Sequence, residues 1–318
     1  FMAVQHQQAI DTSRGKRAFL MLAKHHRQHC AVAAGELPRQ AEQVAVVAAQ
    51  AAADHVRHHV DVKRRGWHLV QRQLHLRCGR VLLGGLLDLS LPGIMAHYHW
   101  RKQHIASWVQ QHIEQQRIQQ LIVVGAGFDG LGATLSAKYK HLQVIEIDRS
   151  ATISVKLAAL HKLNALSPNL CMKAADLSCS SLQQLLAETA EFFPDRATLV
   201  LAEGVLMYLA QPAINALLQQ LRQSVAAPLY LIATQMQLAP CGRPRFFKQR
   251  WLADMALMLS DEPFVSGVSR QALPDWLAAM GYTLQQLAAA GQAGNNDPCP
   301  GELLFGATAK QVATSVTD

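Results

Sequence analysis

A chain of 318 residues that is 50% apolar and only 16% charged has material for one α/β domain of roughly 220 residues plus an accessory segment, which excludes a largely disordered protein. Its formal net charge of +8 is uneven: residues 1–80 hold 13 Lys and Arg against 5 Asp and Glu together with 9 of the 15 His, whereas residues 81–318 balance 17 against 17, so the chain divides near residue 80. No apolar run reaches the length that spans a bilayer, the first residues lack a signal pattern, and six scattered cysteines show no CxxC spacing; a reduced, cytoplasmic protein without a membrane partner is expected.

In the basic segment, His25 with His29 and His55 with His59 have the i, i+4 spacing of a helical metal pair, but no acid or cysteine pattern completes either, and no metal is expected. A dense Lys/Arg run and a set of stacking aromatics are both lacking, so nucleic acid is not an expected partner. Ala-rich residues 40–59 predict a helix, and residues 81–91 another before Pro92-Gly93. Next, Ile105, Trp108, Val109 and Ile113 form an apolar stripe with Arg101 one turn ahead. An arginine on that stripe needs an anion, unless it snorkels to solvent or pairs with a structural acid. His97, His99 and His104 lie on the same helix and could act as bases toward a hydroxyl substrate.

Residues 121–124 are an apolar β-branched run that meets Gly125-Ala-Gly127; a helical segment follows, then a second apolar run at 142–147 closed by Asp148. Two further short runs end near acids: residues 170–172 before Asp176, and residues 198–202 directly before Glu203. Beyond them, Gln211-Pro212 opens a helix with Ile214, Leu217, Leu218 and Leu221 on one face, and residues 228–234 read as a buried strand. The basic loop 240–250 reads as a solvated crossover. Residues 271–280 predict a helix, 283–287 and 303–307 two strands around a turn-rich loop at 291–301, and 310–318 a frayed tail.

In an open parallel sheet, a glycine turn and an acid ending the next strand are the parts that hold a nucleoside. Gly125, Gly127 and Gly130 formally satisfy the dinucleotide pattern, with Asp148 following Gly127 by 21 residues. Asp129, however, stands where a pyrophosphate would need the helix start. A carboxylate about 5 Å from a phosphate charge costs roughly 3 kcal/mol at an effective dielectric of 20. S-adenosyl-L-methionine carries a sulfonium and an ammonium and no phosphate, so a pocket lined by Asp129, Asp148, Asp176 and Glu203 suits it better. An NAD-dependent oxidoreductase and a non-catalytic cofactor-binding protein are the alternatives.

Four segments, HYHWRKQHI, VVGAGFDG with VIEID, ADL followed by AEGVLMYL, and EPFVSGVSRQALPDWLAAMGYTL, resemble the S-adenosylmethionine-dependent methyltransferases of the leucine carboxyl methyltransferase type, in the family's order over roughly residues 85–308. The resemblance implies a class I methyltransferase fold: a Rossmann-like, mostly parallel seven-stranded sheet with helices on both faces and its final strand inserted antiparallel. It assigns Arg101 to the methionine carboxylate, Gly125 to the cofactor turn, Asp148 to the ribose, Asp176 with Leu177 to the adenine region and Glu203 to the floor near the methionine portion. Gly127 and Asp129 belong to the same turn. Tyr208, in EGVLMYL, is the candidate for lining the methyl site. Residues 1–80 lack the family's usual N-terminal pattern and are expected to be a variant of its helical lid, or a stretch from a wrong reading frame or upstream start; residues 81–318 form the methyltransferase domain. The implied chemistry is O-methylation of a small molecule or peptide, a carboxylate being favoured over a hydroxyl because it needs no general base.

Overall fold

The alternation of residues 120–124 sets the centre of the molecule. In the computed structural model, which describes residues 89–177, 180–260, 263–288 and 297–310, these residues form a strand buried along its whole length. Leu121 and Val123 enter one apolar cluster while Ile122 and Val124 enter the other, because successive side chains on a strand point to opposite faces. Both faces must then be covered. The expected helix at 40–59, both histidine pairs, the tail beyond 310 and most of 81–91 lie outside the described residues.

In chain order the elements are α1 (Ile94–Glu114), β1 (Gln120–Val124), α2 (Leu131–Lys138), β2 (Gln143–Asp148), α3 (Ser150–Lys162), β3 (Leu170–Ala174), α4 (Leu182–Ala187), β4 (Thr198–Ala202), a short 3-10 turn (Leu206–Tyr208), α5 (Gln211–Ser224), β5 (Leu229–Met236), α6 (Trp251–Ser260), α7 (Leu273–Ala279), β6 (Tyr282–Ala288) and β7 (Glu302–Ala309). The strands make one seven-stranded sheet in the order β3-β2-β1-β4-β5-β7-β6. The first five are parallel, and β7 lies antiparallel between β5 and β6. This is the class I methyltransferase arrangement that the sequence implied.

One face is covered by α1 through Ile105, Val109 and Ile113, the stripe read from the sequence. The other is covered by α4, α5 and α7, whose Leu182, Leu186, Ile214, Leu217, Leu218, Leu221, Leu273 and Leu277 are all buried. Each such side chain contributes about 1.5–3 kcal/mol by leaving water. Pro212 at the start of α5 sits where a missing N–H costs nothing. No helix among the described residues is long and apolar enough to cross a membrane.

Two departures from the expected boundaries shape the sheet at the carboxyl ends of its parallel strands. β7 begins at Glu302, paired with Met236 at the end of β5, one residue before the apolar run, so an acid starts a central strand. The basic loop 240–250 is not wholly solvated: Phe246 is buried in a cluster with Ile94, Met207, Met236 and Cys299.

Candidate cofactor site

All five parallel strands end at one edge of the sheet, and β7, running the other way, begins there. The turn after β1 is held by Gly125 and Ala126, whose N–H groups donate to Ile147 O at 2.8 and 3.1 Å. Gly125 has a φ of 68°, and a Cβ there would overlap Val205 Cγ2; only glycine lets the turn pack against the segment after β4. Beside Gly127 and Gly204, both also at positive φ, space is open: a Cβ would come no nearer than 3.9 Å to other atoms at Gly127 and would meet nothing within 4 Å at Gly204. The ends of the neighbouring strands β1 and β4 thus each carry a glycine with room beside its main chain, as a cradle in which a flat nucleoside lies against backbone needs. Gly130, at a φ of −90°, is in backbone that any residue adopts, unlike Gly125 and Gly127.

Asp148 closes this cradle. Its Oδ2 accepts the Gly127 N–H at 2.7 Å and its Oδ1 the Arg149 N–H at 2.6 Å. Each oxygen retains a lone pair, so the carboxylate is aimed by the glycine turn and can still accept two hydroxyls. Asp176 lies two residues past β3, half-exposed, with Arg149 Nε 3.7 Å away; such a surface pair contributes little. Leu177 packs against the apolar cluster under β2 and β4.

The other end of the cradle is densely charged. His97, Arg101 and Lys102 fall within two turns of α1. Arg101 Nε donates to Glu203 at 2.9 Å, and Nη1 reaches both oxygens of Glu302 at 3.0 and 2.7 Å. The Tyr98 ring lies 4.4 Å from the guanidinium carbon. Lys102 Nζ bridges Glu203 at 2.8 Å and Asp129. His97 is fully buried with Asp297 on Nδ1 and Glu302 on Nε2, both at 2.6 Å. Burial by itself favours neutral groups here, yet opposite charges overcome it. The Glu302 carboxyl, which desolvation would raise, is pulled down to about 2 by Arg101 and the His97 hydrogen bond. His97 is raised because its two acid partners outweigh its desolvation. Asp129 is lowered by Lys102 against the same burial effect.

These contacts revise three expectations. His97 is not available as a base: with a carboxylate on each ring nitrogen, both nitrogens must donate, which is the cationic form. His104 holds Trp100 O through Nδ1 at 2.7 Å. Asp129 does not bring an uncompensated charge to the helix start. It accepts the Leu131 N–H at 3.0 Å and pairs with Lys102, so what it denies a pyrophosphate is chiefly the helix donor. Arg101 does need an anion, and has two; only Nη2 lacks an acceptor among the described residues, so a fork-to-fork grip on a ligand carboxylate would require Glu203 or Glu302 to yield.

Glu302, Asp297 and Lys102 were not singled out in the sequence. Lys102 adjoins Arg101, and Glu302 is an acid abutting an apolar run; neither pattern says that Arg101 and Glu302 meet across 201 residues. A further buried pair, Lys156 Nζ to Glu146 Oε2 at 2.6 Å, lies beneath the glycine turn with both side chains at most 1% exposed. Tyr208 is 39% exposed on the 3-10 turn after Glu203. Among the described residues, no group of three or more His, Cys, Asp or Glu could hold a metal, and Cys171, Cys241 and Cys299 are not joined in disulfides.

If Asp148 holds ribose hydroxyls, Asp148→Ala removes charge-assisted hydrogen bonds worth roughly 1.5–3 kcal/mol and weakens S-adenosylmethionine binding about tenfold to over a hundredfold. Calorimetric titration of the folded variant checks this, and unchanged affinity would refute the ribose assignment.

The sequence model of the leucine carboxyl methyltransferase family matches residues 41–222, more than half of the chain. No curated protein sequence matches. Among solved structures, a DUF574 family protein from Streptomyces avermitilis aligns with a TM-score of 0.56 at 12% identity over 73% of this chain and 91% of its own. A candidate methyltransferase from Thermobifida fusca aligns with a TM-score of 0.54 at 12% identity over 73% and 88%. A candidate O-methyltransferase from Nostoc punctiforme gives 0.44 at 12% identity over 64% of this chain, which spans 56% of that protein's length.

Proposed function

From the chain's membership of the leucine carboxyl methyltransferase family, which makes it an S-adenosylmethionine-dependent methyltransferase, we propose that it methylates an oxygen, preferentially a carboxylate, of a small molecule or peptide, with the cofactor seated in the cradle of Gly125, Gly127, Asp148 and Glu203. The observation that carries this reading is the open backbone at Gly127 and Gly204 between Asp148 at one end and the Arg101–Glu203–Lys102 cluster at the other. A nucleoside with a zwitterionic tail matches that sequence of groups. S-adenosylmethionine, when bound, supplies a methyl carbon on a cationic sulfur.

The residues divide the work along the cradle. Asp148, fixed by Gly127 N–H, receives the ribose; Asp176 and Leu177 flank the adenine; Glu203 and Arg101 face the methionine ammonium and carboxylate. A row of rings then leads away from the charges: His97 to Phe246 at 5.3 Å, Phe246 to Phe264 at 6.1 Å, and Phe264 to Tyr208 at 5.9 Å. Tyr208 is held beside Phe264 because Met207 O accepts the N–H groups of Val265 and Ser266 at 2.8 and 3.2 Å. The exposed end of this row, Tyr208, is the wall against which the acceptor is positioned. The family match begins at residue 41, which supports treating residues 41–80 as part of the family unit rather than as foreign sequence.

His97 is tied up as a cation, and this favours an acceptor that is already ionised. A carboxylate is deprotonated above about pH 5, so the rate at saturating acceptor should be nearly flat from about pH 6 to 8, and the product should release methanol in mild alkali. A steep acidic limb centred near 6.5, together with an alkali-stable product, would replace the carboxylate by a hydroxyl.

A further inference from the structure

Arg101 is held so that one nitrogen remains for a ligand. Its Nε is on Glu203, both oxygens of Glu302 are on Nη1, the Tyr98 ring stacks on the guanidinium, and Nη2 has no acceptor among the described residues. Glu302 is in turn fixed from behind. It is the first residue of β7, tied by backbone pairing to Met236, and its Oε2 is shared with His97 Nε2 at 2.6 Å. His97 is fixed by Asp297, whose Oδ1 also accepts the Cys299 N–H at 2.9 Å. That loop is clasped to the start of α1: a Cβ on Gly93 would overlap Pro298 O at 2.7 Å, so only glycine admits the approach. Asp297, His97, Glu302 and Arg101 form one continuous line of charge-assisted contacts with no exposed member.

We propose that Glu302, braced by His97 and Asp297, is a positioning residue for the cofactor: it fixes the rotation of the Arg101 guanidinium so that Nη2 alone is presented to the methionine carboxylate. This rests on the reading of Arg101 as the residue that meets that carboxylate. The arrangement accounts for a buried arginine with two acids beside it in a site that must attract an anion. Two carboxylates on one edge would saturate a free arginine, but with Glu302 confined to Nη1 and Glu203 to Nε the third nitrogen keeps its donors. It also explains why a histidine faces inward on the apolar stripe of α1. Without His97, one oxygen of Glu302 would be free to swing to Nη2 and close the position.

The test compares two ligands that share an adenosine and a neutral thioether sulfur but differ in the amino-acid tail, S-adenosylhomocysteine and 5′-methylthioadenosine, by calorimetric titration. Glu302→Gln should weaken S-adenosylhomocysteine about tenfold, the effect of one lost charge-assisted contact, and leave 5′-methylthioadenosine within about twofold. His97→Gln, which leaves Glu302 in place, should shift the ratio in the same direction by a smaller factor and serves if the first variant does not fold. A merely structural role for Glu302 would weaken both ligands alike, and that result overturns the proposal, as does an unchanged ratio. Arg101→Ala separates the two layers. If it erases the preference for the tailed ligand while Glu302→Gln does not, the carboxylate assignment stands and the positioning role falls. If Arg101→Ala leaves the ratio unchanged, both fall.

Discussion

Lys156→Met should lower the unfolding free energy by about 3–5 kcal/mol, because it leaves the Glu146 carboxylate buried without its counter-charge. Glu146 is only 1% exposed, and Lys156 Nζ at 2.6 Å is its ion-pair partner. Asp129 and Asp148 bear on the same group with the same sign. Replacing both members with methionine removes the uncompensated charge and should restore most of the loss, since well-packed apolar residues can match a buried pair. Burial, reinforced by those two acids, already holds the Glu146 carboxyl above the usual range even with Lys156 present. The single variant should therefore recover stability as the pH is lowered and the carboxyl takes up a proton. Urea unfolding of the two variants at pH 5 and pH 7.5 measures all of this; a single variant within 1 kcal/mol of the unaltered protein would show that water reaches Glu146.

Acid should act on Glu302 with the opposite sign. Its folded-state value of about 2 lies below the ordinary 4.5, so the ion pairs it makes contribute stability that is fully present above about pH 4.5 and is lost as the pH falls toward 2. The difference amounts to about 3 kcal/mol. Asp129, also lowered, adds to the same acid limb. His97 is raised, so its contribution is complete below about pH 6.5 and is lost as the pH rises through its elevated value. The melting temperature should then fall on the acid side with a slope that Glu302→Gln reduces. An acid limb of equal steepness in that variant would assign the titration to other carboxylates.

The parts of the fold that were legible from sequence were those governed by periodicity. The continuous apolar run at 121–124 marks a strand covered on both faces and the stripe of Ile105, Val109 and Ile113 a helix covered on one, and the structure has both. The acids after β1, β2, β3 and β4 were legible because each follows an apolar run and topology brings those ends together. Pairings between distant charges were not. Arg101 announced that it needed an anion, but nothing in the chain near it named Glu302, and Glu302 read as a boundary because an acid at the start of a central strand is tolerated only when cations meet it. Likewise nothing beside Glu146 in VIEID named Lys156 on α3, whose ammonium meets the buried carboxylate at 2.6 Å. Phe246 was hidden in a stretch whose composition is dominated by arginine and lysine.

The line from α1 to β7 also bears on how the protein is made. Arg101 and Glu302 are separated by 201 residues. At roughly 5–20 residues per second of synthesis, the helix carrying His97 and Arg101 leaves the ribosome about 10–40 s before the strand that neutralises it. During that interval Glu203, at the end of β4, is already there to accept from Arg101 Nε, so the guanidinium has one of its two carboxylates before β7 emerges. The second carboxylate, Glu302, becomes available to that guanidinium only when the antiparallel strand is made, so the charge balance at the carboxyl ends of the parallel strands is completed by nearly the last part of the described chain.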